Sequence, residues 1–163
     1  MTVGELKDEL KDIPDEIYDT FKRGIWSSTY DGKKIRDIVM NGKPLPKVKW
    51  LYRLEAKDKN NGLWYNSNNE YVWGCKNCKG EAKNLPMGYD ERYHIDGKNW
   101  FSSCSNKDDL LHWYSKEDAR YLIDNGFVFT RYLAVDYHEF ELETVFLKET
   151  ALAREEISFA ELF

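Results

Sequence analysis

The chain has 163 residues, the size of one domain, and its 42% hydrophobic and 15% aromatic content is enough to form a hydrophobic core. The formal net charge of −5 argues against direct nucleic-acid binding, because nucleic acids select a basic surface. No apolar run reaches the ~18 residues of a membrane span, no secretory signal is recognisable, and three cysteines are an odd count for a disulfide framework, so a cytoplasmic protein without membrane association is predicted.

Residues 1–46 are predicted to form an N-terminal extension of a helix and a hairpin, and residues 47–163 the main domain. Residues 2–13 carry apolar side chains at helical spacing, which predicts the helix. Tyr-Asp-Gly-Lys and Asn-Gly turn signals predict the hairpin. The boundary is placed at residues 44–46, Pro-Leu-Pro, which interrupt regular structure. An ordinary loop inside one domain is the alternative interpretation of this segment.

The main domain is predicted to be α+β, with a twisted, mostly antiparallel sheet and two or three short helices packed on it. Runs rich in aromatic and β-branched residues predict strands at residues 48–55, 63–65, 71–73, 100–102, 127–135 and 138–147. One helix is predicted to be capped by Ser105 and to end at Trp113. A second, over residues 116–124, is predicted to be capped by Ser115 and ended by Gly126.

The positions of the three cysteines are compatible with a zinc site. Cys75 and Cys78 have the C-x-x-C spacing at which two thiolates bind one metal ion. Cys104 and His94 would complete a tetrahedral set, and His112 is an alternative to His94. The favoured interpretation is three reduced thiols and no bound cofactor, with zinc as the alternative.

A second set of polar residues comprises Arg53 in LYRLE, Ser102 and Ser103 in WFSSC, and Glu141 and Glu143 in ELE. In this order the set resembles the ADP-ribosyltransferases, whose pattern is an arginine, then a serine-containing strand, then a glutamate in E-x-E. The resemblance implies that the protein uses NAD. Arg53 would hold its phosphates, Ser102 would shape the nicotinamide pocket, and Glu143 would stabilise the ribose oxocarbenium ion.

The alternative gives the same residues structural roles. Arg53 would form a cross-strand ion pair with Glu55, Ser102 and Ser103 would lead into a helix, and the glutamates would lie on the solvated face of an edge strand. A degenerate, inactive version of the transferase fold is a further alternative. These interpretations differ in geometry, because transferase activity requires Arg53, Ser102 and Glu143 to converge on one cleft.

Aromatic side chains also predict a binding surface, formed by Trp64, Tyr65, Tyr71, Trp73 and Trp113. Neighbouring residues of a strand point to opposite faces, so one ring of each strand pair is predicted to be exposed. Exposed tryptophan and tyrosine are typical anchors of protein interfaces. The alternative is an aromatic core with rings on both faces of a covered sheet.

Between Leu51 and Glu149 the order of YRLE, GLWY, LPMGYD, WFSSC and DLLHWYSKEDARYLIDNGF resembles uncharacterised accessory proteins of phages and mobile elements of Gram-positive bacteria. Together with the acidic charge and the absence of a clean catalytic set, this resemblance favours a non-enzymatic protein in the bacterial cytoplasm. Such a protein would bind and inhibit a host protein, including one of a defence system such as CRISPR, by docking on a basic surface. An ADP-ribosyltransferase-like enzyme and a zinc-stabilised interaction module are the alternative functions.

Overall fold

The computed structural model describes residues 48–57, 62–64, 68, 70, 73–86 and 88–163. The predicted N-terminal extension lies outside the described residues, as do Tyr65 and Tyr71. The strands are β1 (Lys49–Ala56), β2 (Phe101–Ser103), β3 (Phe127–Ala134), β4 (Tyr137–Phe140), β5 (Glu143–Phe146) and β6 (Ala153–Ile157). The α-helices are α1 (Lys107–Trp113), α2 (Lys116–Asp124) and α3 (Phe159–Leu162). Short 3-10 turns occur at Glu81–Asn84, Glu91–Tyr93, Ile95–Gly97 and Lys148–Thr150.

The strands form two antiparallel three-stranded sheets. In the first sheet β3 lies between β1 and β6, and in the second β5 lies between β2 and β4. A pair of backbone hydrogen bonds joins the sheets: the Tyr52 amide donates to the Cys104 carbonyl at 2.8 Å, and the Cys104 amide donates to the Tyr52 carbonyl at 2.7 Å. The edges of the two sheets therefore meet at a seam between β1 and the end of β2. The predicted α+β class is confirmed.

The core lies on both sides of the first sheet. On one side Leu54 of β1 and Phe129 of β3 pack with Leu122 of α2 in the larger hydrophobic cluster. On the other side Leu51 and Tyr132 pack with Phe146 of β5, and the Tyr132 and Phe146 ring centroids are 5.0 Å apart. Burying a side chain of this size contributes about 1.5–3 kcal/mol. These contacts hold the second sheet against the first.

Helix α2 begins and ends as the sequence predicts. The Ser115 hydroxyl accepts a hydrogen bond from the Asp118 amide at 3.2 Å, which satisfies one of the free amides at the helix start. Gly126 follows the last turn with φ of 90°, a conformation that glycine adopts without a side-chain clash. The Ser115 hydroxyl and the Gly126 backbone therefore determine where α2 begins and ends.

Two other local predictions are wrong. Asn106, not Ser105, caps α1, because the Asn106 side chain accepts from the Asp109 amide at 2.8 Å. The predicted strand over residues 138–147 is two strands, since Leu142 adopts a left-handed φ of 58° and turns the chain between β4 and β5. The described residues of the predicted hairpin at 63–65 and 71–73 are not in strands. Among the residues described, no helix has the length and apolar character needed to cross a membrane.

Candidate functional site

Arg53 and Ser102 lie side by side because β1 and β2 meet at the seam. The buried Arg53 donates from Nη1 to the Ser102 carbonyl oxygen at 2.5 Å and from Nε to Glu55 Oε1 at 3.0 Å. Residues two apart on a strand face the same side, so the predicted ion pair with Glu55 forms within β1. The prediction that this pair crosses between strands is wrong. The guanidinium is held at the seam by both contacts.

Glu143 lies behind Ser102, at the start of the middle strand of the second sheet, and is 1% exposed. Its Oε1 accepts hydrogen bonds from the Ser102 hydroxyl at 2.7 Å and from the Tyr93 hydroxyl at 2.5 Å. Its Oε2 lies 2.9 Å from Nη1 of Arg92, an ion pair without hydrogen-bond geometry. The alternative that places Glu143 on a solvated edge strand is wrong, whereas Glu141 is exposed in the preceding turn.

The three residues named by the transferase pattern are therefore connected. Arg53 donates to the backbone of Ser102, and the side chain of Ser102 donates to Glu143. The hydroxyl of the neighbouring Ser103 is not part of this connection, because it donates to the Thr144 carbonyl at 2.6 Å within the strand pair. Of the serine pair, only the Ser102 side chain is part of this connection, although both serines line the same cleft.

Arg92 and Tyr93 complete the surroundings of Glu143, and the sequence did not predict them. They lie in the 3-10 turn Glu91–Tyr93, whose cap is Asp90. Hydrogen bonds from the Arg92 side chain and amide lower the pKa of Asp90 to about 2. Burial, together with the neighbouring Glu143, raises the pKa of Tyr93, so the Tyr93 hydroxyl keeps its proton and acts as a donor. The sequence of residues 90–93, Asp-Glu-Arg-Tyr, is typical of a capped turn, but it does not indicate which strand the turn packs against.

A second charged cluster lies around Glu55, next to Arg53. The fully buried Glu55 carboxylate is 2.9 Å from Lys148 Nζ and 3.2 Å from Arg154 Nη2, and the Tyr132 hydroxyl donates to both of its oxygens. Burial alone would raise the pKa of Glu55, but attraction to Arg53 and Lys148 outweighs burial and lowers it. Burial and repulsion from Arg53 lower the pKa of Lys148 to about 8.

A cleft of about 510 Å³ opens at the seam, within the range of small-molecule sites. Polar groups of Arg53, Tyr93 and Ser102 contribute to its lining. Aromatic side chains form much of the rest of the lining, among them Trp64, Trp100, Phe101, Trp113 and Tyr114. Glu143 is not part of the wall and lies one hydrogen bond behind it, through Ser102 and Tyr93. An apolar cleft with a few converging polar groups suits a ligand with planar rings and a charged centre.

The predicted aromatic binding surface is only partly described. Trp73 is 45% exposed, and its ring lies 6.5 Å from that of Trp64, with 16° between their planes. Trp113 is half-buried and donates from Nε1 to the Leu142 carbonyl at 2.7 Å, which gives it a structural role. Tyr89 is 82% exposed beside the cleft-lining Gly88, and the sequence did not single it out.

The cysteines are free and buried. Cys75 and Cys78 form a tight turn, in which the Cys78 amide donates to the Cys75 carbonyl at 2.9 Å, and burial raises the pKa of Cys78 to about 12. In the part of the chain that the structure describes, no three His, Cys, Asp or Glu side chains form a group that could hold a metal ion. Zinc at Cys75, Cys78, Cys104 and His94 stays a prediction, which metal analysis of the purified protein tests.

Comparison of the chain with protein-family models, with curated proteins and with solved structures finds no match.

Proposed function

We propose that the protein is an ADP-ribosyltransferase-like enzyme that cleaves NAD and transfers its ADP-ribose group to an acceptor. The observation that carries this proposal is the hydrogen-bonded connection from Arg53 through Ser102, both of which line one cleft, to Glu143 directly behind the cleft wall. Its chain order is that of the transferase pattern. Residues so distant in sequence converge here because the seam joins β1 to the end of β2, and β2 pairs with β5 in the second sheet.

Each member of the set has a role in this reaction. Arg53 provides a fixed cation for the NAD diphosphate, since guanidinium groups bind phosphate oxygens well. Ser102 and the aromatic lining hold the nicotinamide ring. Glu143 provides a negative charge close to the ribose, which it reaches when a ribose hydroxyl displaces the Ser102 or Tyr93 hydroxyl from Oε1. A buried carboxylate interacts with a developing positive charge more strongly than an exposed one.

The chemical step breaks the bond between ribose C1′ and the nicotinamide nitrogen. The bonding electron pair leaves with nicotinamide, which becomes neutral, and positive charge develops on the ribose. A nucleophile then adds to C1′ and loses its proton to solvent. With water as nucleophile the product is free ADP-ribose, and with a protein side chain the product is an ADP-ribosylated protein. NAD supplies the group transferred and water or the protein side chain supplies the nucleophile, so no further reactant is needed.

The test is an assay of NAD cleavage by the purified protein, in which the release of nicotinamide is measured over time. We expect Glu143→Gln to lower the rate constant about 100- to 1,000-fold, because it removes the charge that stabilises the transition state while preserving shape. Glu117→Gln, on the exposed first turn of α2, is the matched control and should retain the wild-type rate. A wild-type protein that does not cleave NAD, or a fully active Glu143→Gln variant, would contradict the proposal.

A second candidate function is that of a phage or mobile-element accessory protein that inhibits a host protein by direct contact, and exposed aromatic side chains near the cleft favour it. Trp73 is exposed and lies parallel to Trp64, which lines the cleft. Tyr89 stands out from the chain beside the same cleft. Large rings of this kind serve as anchors in protein interfaces, and the net charge of −5 suits a partner with a basic surface.

Affinity capture from host lysate tests this candidate. Trp73→Ala is expected to weaken recovery of the partner at least about tenfold, because a buried interface tryptophan contributes roughly 2 kcal/mol or more. Phe163→Ala removes another exposed ring, at the end of the described chain, and should leave recovery unchanged. Equal recovery by the wild type and Trp73→Ala, or no recovered protein, would exclude the candidate.

A further inference from the structure

We infer that Arg92 is a positioning residue, which holds the reacting Glu143 carboxylate from the side opposite the cleft. The inference rests on the proposed NAD cleavage. It concerns a residue that the transferase pattern does not contain and that does not line the cleft. Arg92 acts through Glu143 and does not contact the substrate.

The two oxygens of Glu143 have different surroundings. Oε1 contacts Ser102 and Tyr93, and both of these residues line the cleft. Oε2 contacts Arg92, whose guanidinium is partly exposed and lies 5.6 Å from the exposed Phe140 ring. One oxygen is thus directed towards the cleft and the other towards the outer surface. Because substrate would replace a donor on Oε1, Oε2 is the oxygen by which the protein can keep the carboxylate in place during the reaction.

Arg92 is itself held rigidly. Its Nε donates to Asp90 Oδ1 at 2.8 Å and its Nη2 donates to Asp90 Oδ2 at 2.8 Å, the two-point arrangement that fixes the plane of a guanidinium. The third nitrogen, Nη1, is then the one that faces Glu143. Asp90 also accepts from the Arg92 amide at 3.0 Å, so the carboxylate is anchored to the turn that carries the arginine. The backbone of the turn thus fixes Asp90, Asp90 fixes the Arg92 guanidinium, and Arg92 in turn fixes the Glu143 carboxylate.

This arrangement predicts how particular substitutions act. Arg92→Gln removes the charge and the contact with Oε2. Arg92→Lys keeps the charge but cannot contact Asp90 at two points and Glu143 together, because lysine carries a single ammonium group. Asp90→Asn leaves Arg92 charged but removes the two-point contact that fixes the orientation of its guanidinium. A small displacement of a reacting group lowers the rate constant more than the affinity for substrate, so all three variants should affect kcat and not KM.

The experiment is steady-state NAD cleavage by the full chain at a temperature where every variant is folded, with NAD affinity measured separately by calorimetry. We expect kcat to fall about 10- to 100-fold in Arg92→Gln and by less in Arg92→Lys and Asp90→Asn, with KM and Kd for NAD within about twofold of wild type. Arg120→Gln and Asp124→Asn, both at exposed positions of α2, are the matched controls and should keep the wild-type kcat.

The outcomes separate the inference from the function on which it rests. If the wild type cleaves NAD and Arg92→Gln has the same kcat, Arg92 is not a positioning residue and the proposed function stands. The inference is also overturned if kcat falls only in proportion to the fraction of folded protein. The same holds if kcat falls in Arg92→Gln but not in Arg92→Lys and Asp90→Asn. A wild-type protein that neither binds nor cleaves NAD overturns both.

Discussion

Glu55 has no exposed surface, yet three cationic side chains surround it. Removing a carboxylate from water is costly, and only close opposite charges and hydrogen bonds offset the cost. Arg53, Lys148, Arg154 and the Tyr132 hydroxyl provide them. Glu55 also fixes the guanidinium of Arg53, the residue proposed to bind the NAD diphosphate. The ion pair with Glu55 therefore gives Arg53 a structural role, and it would also orient the guanidinium for the diphosphate binding that we propose.

Glu55→Gln is predicted to lower the free energy of unfolding at pH 7 by about 3–5 kcal/mol, because it leaves buried cations without their counter-ion. The effect should depend on pH. The pKa of Glu55 is lowered in the folded state from the ordinary value of 4.5, so its contribution is complete above that value and is lost as the pH falls through the lower, folded pKa. Urea unfolding of wild type and variant at pH 7 and pH 3 measures both points.

Glu156→Gln is the control, because Glu156 is largely exposed and lies 3.8 Å from Arg154. An exposed pair of this kind contributes roughly 0–1 kcal/mol. A loss in Glu55→Gln no larger than that of the control, or a loss of the same size at both pH values, would contradict the role assigned to Glu55.

At the level of elements, the sequence predicts what local chemistry determines. Helix α2 is correct because Ser115, Asp118 and Gly126 act within a few residues of the helix ends. Strands β1 and β3 are predicted correctly because both faces of their sheet are covered, so the strands are runs rich in aromatic, aliphatic and β-branched residues. The division of β4 from β5 was missed, since nothing in the alternating pattern signals that Leu142 would adopt a positive φ.

The candidate site shows the same limit. Arg53, Ser102 and Glu143 could be named only through their order and the resemblance it carries, because no local pattern brings β1, β2 and β5 together. Arg92 and Tyr93 could not be named, since their partner lies about fifty residues further along the chain. The Cys-x-x-C pattern allowed a metal site without requiring one, and it gave no sign of the buried Asp118, which lies about forty residues further along the chain and accepts from the amides of Lys79 and Gly80.

At the level of the whole molecule, the site spans two sheets that share little backbone pairing. Arg53 belongs to the first sheet, and Ser102 and Glu143 belong to the second. Two backbone hydrogen bonds between Tyr52 and Cys104 join the sheets, and the Arg53 side chain adds a third contact to Ser102. A ligand that contacts Arg53 and Ser102 together would therefore stabilise the join as well as fill the cleft.

ADP-ribose, which carries the diphosphate but no cleavable nicotinamide, is predicted to raise the melting temperature of the protein. At a ligand concentration of 100 Kd, binding to the folded state alone stabilises it by about 2.7 kcal/mol, which for a chain of 163 residues corresponds to a rise of about 5–10 °C. Arg53→Lys should reduce the rise, because lysine cannot bind the diphosphate at two points, and Glu117→Gln should keep it. Differential scanning fluorimetry measures the rise against each variant's own baseline. Because this measurement needs no turnover, a rise without NAD cleavage would identify an inactive protein that keeps the binding site, and no rise at saturating ADP-ribose would mean that the cleft does not take this ligand.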